Sequence, residues 1–174
     1  MGKITLILGG ARSGKSTYAV SLAEKYGKVA FVATCEALDK EMAERILRHR
    51  RSRPENWVTF EEPRDPAALL TRVGNKFDCV IVDCLTLLIS NLVLDGDKEE
   101  EVVKKIEALL AGLKKKKARV IIVSNEVGLG IVPANGLGRA FRDIAGKVNQ
   151  RTAQAADEVF FIVSGMPLKI KRRK

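Results

Sequence analysis

Residues 9–16 read Gly9-Gly10-Ala11-Arg12-Ser13-Gly14-Lys15-Ser16, a match to G-x-x-x-x-G-K-[ST], and their setting constrains the fold more than any other feature of the chain. The apolar run from Ile4 to Leu8 leads into the loop, and a pattern of helical period from about Lys15 to Lys25 leaves it. Gly9 and Gly14 permit positive φ, so successive backbone N–H groups can turn inward around phosphate oxygens at the positive end of the helix. In that geometry Lys15 reaches the β and γ phosphates and the Ser16 hydroxyl takes a place on Mg²⁺. A glycine-rich turn that binds nothing is the competing explanation, and it leaves strand, loop, Lys-Ser pair and helix in register by chance.

Short apolar runs alternate with longer segments of helical period along the rest of the chain, which predicts an α/β fold with a parallel sheet covered by helices. The expected strands are Ile4 to Leu8, Val29 to Ala33, Val80 to Asp83, Val120 to Ser124 and Val159 to Val163, all rich in β-branched residues and nearly free of polar alternation. Trp57 to Phe60 is a weaker strand, and Leu168 to Ile170 an added edge. Val102, Val103, Ile106, Leu109, Leu110 and Leu113 share one helical stripe; Leu137, Phe141, Ile144, Ala145 and Val148 share another. Asp83 ends a buried strand, where open α/β sheets gather their ligands, and is the candidate second metal carboxylate. Its competing role is a cap on the helix beginning near Leu85.

At 174 residues the chain is expected to form one domain without repeats or linkers. Three cysteines, at 35, 79 and 84, lack the paired spacing of a zinc site and read as reduced thiols of a cytoplasmic protein. Ile4 to Leu8 is too short for a signal-peptide core, and Cys84 to Leu94, at 11 residues, is too short to span a bilayer. The net charge of +10 favours anionic partners without choosing among nucleic acid, acidic lipid and phosphorylated small molecules. Lys114 to Lys117 and Lys169 to Lys174 read as solvated ends.

The phosphate loop does not fix the reaction, because kinases, motors and switches share it. His49, the one histidine, lies in an expected helix from about Leu38 to Arg51, on the face of Met42 and Ile46. A packed structural histidine is the plain reading. Arg45, Arg48, Arg50, Arg51 and Arg53 alter it: nearby positive charge disfavours protonation, and a neutral imidazole can attack phosphorus while guanidinium groups neutralise a polyphosphate. That combination suits covalent nucleotidyl transfer, with a solvated basic face as its rival. Asn125-Glu126-Val127-Gly128-Leu129-Gly130-Ile131-Val132-Pro133 follows a strand, and Glu126 is a further carboxylate whose role stays open. A motor or nucleic-acid-binding ATPase is the alternative class, disfavoured because six Phe, two Tyr and one Trp lie mostly outside the basic segments. A kinase lacking nucleotidyl transfer is another.

The pattern resembles one family, the bifunctional adenosylcobinamide kinase/adenosylcobinamide-phosphate guanylyltransferases of cobalamin biosynthesis. The phosphate loop, Ala33-Thr34, Glu41-Met42-Ala43, Arg45-Ile46, His49, Arg53-Pro54 and Trp57 carry the first half of the resemblance. The Asn125–Pro133 motif, Phe141-Arg142-Asp143-Ile144-Ala145-Gly146-Lys147-Val148-Asn149-Gln150, Ala156-Asp157-Glu158-Val159 and Val163-Ser164-Gly165 carry the second. It implies a RecA-like P-loop NTPase fold, with a mostly parallel central sheet flanked by helices, and a homotrimer. It also implies two reactions. ATP or GTP phosphorylates adenosylcobinamide, and GTP then donates GMP through a guanylyl-histidine to give adenosylcobinamide-GDP and pyrophosphate. His49 matches the guanylylated position. The nucleotide contacts so implied are Gly9, Gly10, Ala11, Arg12, Ser13, Gly14, Lys15, Ser16, Thr34, Cys35, Glu36, Arg50, Arg51, Ser52, Arg53, Glu61 and Asp83, with Mg²⁺ on Ser16 and Asp83. Small-molecule substrates are the expected partners, without nucleic acid or membrane insertion.

Overall fold

Buried β-branched strands and helices with one apolar stripe assemble in the computed structural model into a seven-stranded sheet covered on both faces. It describes residues 2–37, 40–51 and 53–172. The elements run β1 (Ile4–Gly9), α1 (Lys15–Ala23), β2 (Val29–Ala33), α2 (Lys40–Arg51), β3 (Val58–Glu61), α3 (Pro66–Val73), β4 (Cys79–Asp83), α4 (Leu85–Leu94), α5 (Glu99–Lys115), β5 (Arg119–Val123), α6 (Gly136–Ala155), β6 (Glu158–Val163) and β7 (Met166–Lys171). The sheet order is β3-β2-β4-β5-β1-β6-β7, and only the β6–β7 pair is antiparallel. This is the mostly parallel α/β architecture expected from the sequence. The expected start of α2 at Leu38 lies outside the described residues.

Side chains alternate across the sheet and so build two cores. Ile4, Leu6 and Leu8 of β1 join Val80, Val82, Val120 and Ile122 under α3, α4, α5 and α6. Ile7, Ile81, Ile121 and Val123 point the other way, with Phe31 and Trp57, against Ala19 and Ala23 of α1. β1 and β2 are buried along their whole length, whereas β3 and β6, nearer the sheet's ends, are not. Burial on both faces therefore holds for the central strands and is lost toward the edges.

Both lysine runs expected to be solvated contribute to the fold. Lys116 is 8% exposed, and its ammonium donates to the carbonyls of Leu70 and Gly74, each at 2.7 Å, closing the end of α3. Lys171 donates to Ala153, Gln154 and Ala156 carbonyls at the end of α6. A helix C-terminus leaves carbonyls without intrahelical partners, and a cation satisfies them. Among the described residues, no helix is long and apolar enough to cross a membrane.

Candidate active site

β1 ends at Gly9, whose φ of 153° and close surroundings exclude a side chain: a Cβ there would stand 2.6 Å from the Ile162 carbonyl oxygen. Gly14 caps α1 in the left-handed region at φ 98°. Between them Arg12 also takes a positive φ of 56°. The chain thus turns sharply onto the α1 N-terminus, where backbone N–H groups converge. Lys15 is buried, and its ammonium donates to the Gly10 carbonyl at 2.6 Å, so it folds back over the loop. The Ser13 hydroxyl oxygen is buried and has no hydrogen-bond partner among the described residues. A buried hydroxyl inside an anion-binding turn is a ready donor to phosphate.

Ser16 donates its hydroxyl to an Asp83 carboxylate oxygen at 2.9 Å, which joins the first turn of α1 to the end of β4. Burial pushes the Asp83 carboxyl up from its usual range, against the opposing pull of the Ser16 hydroxyl, His49, Arg53 and Lys15. These two hard oxygen donors fit Mg²⁺, which binds through one or two protein oxygens together with substrate phosphates and water. No group of three or more His, Cys, Asp or Glu among the described residues could hold a metal by itself.

The carboxyl ends of β2, β4 and β5, the phosphate loop and α2 enclose a cavity of about 610 Å³. Met42, Ile46 and His49 all line it. The apolar face of α2 therefore looks onto the cavity rather than into either core, and His49 itself is exposed. Arg53 lines the same wall. Its guanidinium stacks 3.6 Å over the Phe31 ring and donates to the Thr59 hydroxyl at 3.3 Å. Burial draws its pKa down, partly offset by Asp83. A guanidinium stacked on a ring keeps its charge in a fixed place, which suits anion recognition.

The other expected contacts divide. Ala11, Arg12, Ser13, Gly14, Cys35 and Asp83 border the cavity with Lys15 and Ser16. Thr34 is fully buried behind it; its hydroxyl donates to the Cys84 carbonyl at 2.7 Å and accepts the Cys84 N–H at 2.9 Å. Glu36 pairs with Arg64 at 3.1 Å, and Glu61 with Arg50 at 3.6 Å. Ser52 lies outside the described residues, as does the Arg51 side chain. Glu126 accepts from the Gly128 N–H at 2.9 Å, so its carboxylate shapes its own loop.

Sequence reasoning missed Leu87 and Val123 as cavity-lining residues and gave Asn125 no separate role. Apolar residues at the ends of buried segments carry no chemical signature. The position of Asn125, just beyond a strand's carboxyl end, is the signal that could have marked it.

A family model described as cobinamide kinase / cobinamide phosphate guanyltransferase matches residues 5–170. The chain belongs to this cobinamide kinase/guanyltransferase family. It is similar to the bifunctional adenosylcobalamin biosynthesis protein CobU of Escherichia coli, with 43% identity over 178 residues, covering 95% of this chain and 98% of that one. The CobU protein of Salmonella typhimurium has the same identity and coverage. The bifunctional adenosylcobalamin biosynthesis protein CobP of Pseudomonas aeruginosa is 46% identical over 167 residues, covering 95% of this chain and 96% of that one.

Proposed function

We propose that residues 1–174 act as one unit that phosphorylates adenosylcobinamide from ATP or GTP and then converts the phosphate to adenosylcobinamide-GDP. Family membership carries the pair of reactions. The observation that supports one site for both is that His49 and the phosphate loop border the same cavity.

In the first reaction the aminopropanol hydroxyl attacks the γ-phosphorus. A new O–P bond forms, the bond to the β–γ bridging oxygen breaks, nucleoside diphosphate leaves, and the hydroxyl proton passes to water. Backbone N–H groups of the loop, Lys15 and the Ser13 hydroxyl hold the phosphates and offset their charge, the main demand of phosphoryl transfer. Mg²⁺, held by Ser16 and Asp83, would neutralise charge on the phosphate oxygens when bound.

In the second reaction a ring nitrogen of His49 attacks the α-phosphorus of GTP and pyrophosphate departs. A phosphate oxygen of the corrinoid then displaces the imidazole, forming the new P–O–P link as the P–N bond breaks. Arg53, which borders the same cavity, would hold phosphate charge during the attack. Splitting the displacement frees pyrophosphate before the bulky corrinoid must enter. A homotrimeric assembly in the cytoplasm belongs to the same reading. Leu129, Ile131, Val132, Met166 and Leu168, each more than half exposed in one copy, offer apolar surface for contact between copies.

Separation of corrinoid products tests the proposal. With adenosylcobinamide and ATP the expected product is the phosphate alone; adding GTP should yield the GDP derivative and one pyrophosphate per product. No GDP derivative from authentic adenosylcobinamide phosphate plus GTP would remove the second activity.

A further inference from the structure

Asn125 opens a motif to which neither reaction above gives a role, and its backbone is fixed with unusual completeness. Its N–H donates to the Thr86 hydroxyl at 2.7 Å, and its carbonyl accepts from the Asn149 carboxamide nitrogen at 3.0 Å. Thr86 also shares a hydrogen bond of 3.0 Å with the Ser124 hydroxyl. Thr86, Ser124 and Asn149 are at most 4% exposed, and they come from α4, the end of β5 and α6. The other carboxamide atom of Asn149, Oδ1, is buried with no hydrogen-bond partner among the described residues. A buried, unpaired acceptor costs about 1–3 kcal/mol, which offsets part of what the bond to the Asn125 carbonyl contributes. Tolerating Asn there makes sense if what matters is the hold on Asn125.

That hold sets the direction of the Asn125 side chain. Ser124 continues the face of Val120 and Ile122, toward α4 and α6, while Asn125 continues the face of Ile121 and Val123. Asn125 accordingly lines the cavity with Val123, Lys15 and Ser16. An uncharged amide donor beside the phosphate loop can hydrogen-bond a phosphoryl oxygen without adding charge.

We propose that the Asn125 carboxamide N–H donates to a non-bridging oxygen of the γ-phosphoryl group during transfer to the corrinoid hydroxyl, and that Thr86 and Asn149 are its positioning residues. The inference rests on the kinase reading given above, with the bonds made and broken as stated there. The hydrogen bond strengthens as the phosphoryl group passes between oxygens, so Asn125 acts on turnover more than on nucleotide binding.

The test measures kinase turnover, nucleotide KM and melting temperature of the full chain. Asn125→Ala should lower kcat by about 100-fold and change the nucleotide KM less than about threefold. Asn125→Asp, with the donor replaced by an acceptor, should be at least as slow. Thr86→Val should lower kcat by about tenfold, Thr86→Ser should restore most of it, and Asn125→Ala/Thr86→Val should be no slower than Asn125→Ala alone. A folded Asn125→Ala within twofold of wild-type kcat, or a loss confined to KM, would overturn the contact. Additive losses in the double variant would overturn the positioning role. If the wild-type chain makes no corrinoid phosphate, the kinase reading itself falls and this proposal with it; if only the variants match wild type, the reading stands.

Discussion

Beneath the floor of the cavity Thr34, Thr86 and Asn149 are sealed at 4% exposure or less, and each holds a backbone group at the end of a strand. Across from them, α2 brings Met42, Ile46 and His49 to the cavity from a charged helix whose Arg50–Glu61 pair leaves both partners 62% exposed. The floor is fixed by desolvated hydrogen bonds, and those are costly to break. On the wall, the Arg50–Glu61 pair lies at the surface, where water and salt weaken it. Under the proposed function, phosphoryl transfer would draw on the floor, where charge must be held in place, and the histidine step on the wall, which must admit a bulky partner. The two activities assigned to one cavity therefore differ in how firmly their residues are held.

The largest effect that would break this contrast is at Lys15. Lys15→Ala should lower kinase turnover by about 10³-fold, roughly 4 kcal/mol of transition-state stabilisation, with little change in melting temperature. A loss under tenfold in steady-state assays would mean that the loop is not the phosphate clamp.

Glu158, at the opposite end of the sheet, supplies a stability reference remote from the cavity. It accepts from Lys169 at 2.5 Å and Arg119 at 2.6 Å, and these partners hold its carboxyl down from 4.5 to about 2. Its stabilisation is complete above about pH 4.5 and disappears as the pH falls toward 2. Glu158→Gln should therefore cost about 2–3 kcal/mol at pH 7 and flatten the acid limb of the stability curve, measured by urea unfolding from pH 2 to 7. Both activities should survive in the folded fraction.

Thr34→Val removes the partner of the buried Cys84 N–H, while the Cys84 carbonyl keeps the Leu88 N–H at 3.2 Å, and should cost about 2 kcal/mol by the same measurement. The smallest effect sharpens the contrast from the other side. Arg50→Ala should change stability by at most about 0.5 kcal/mol, because its pair is exposed. Equal costs at Thr34 and Arg50 would erase the distinction between floor and wall.

How much of this was legible depended on whether a residue's role is written in its own chemistry. The phosphate loop and the central strands were readable because glycine, lysine, serine and β-branched runs occur there in a spacing fixed by backbone geometry. The face of Met42, Ile46 and His49 was also readable, but periodicity states only which residues share a side. That the side looks onto a cavity and not a core required the sheet to be assembled. Lys116 misled for a related reason: a lysine run looks the same whether solvated or capping a helix more than 40 residues earlier in the chain. Thr34 is an expected nucleotide contact, and that its hydroxyl also binds the Cys84 backbone behind the cavity is visible only in the fold. Thr86 carries no signal and Asn149 only that of a longer motif, since buried polar clamps depend on contacts among α4, β5 and α6 that lie far apart in the chain.

The central claim, that one cavity unites a triphosphate cradle with a nucleophilic imidazole, is met most directly by incubating the chain with GTP labelled at the α-phosphate and mapping the adduct. The account predicts an acid-labile, alkali-stable phosphoramidate on His49, absent from a folded His49→Ala variant that retains kinase turnover within about tenfold. An unlabelled wild type, or equal labelling of His49→Ala, would contradict it.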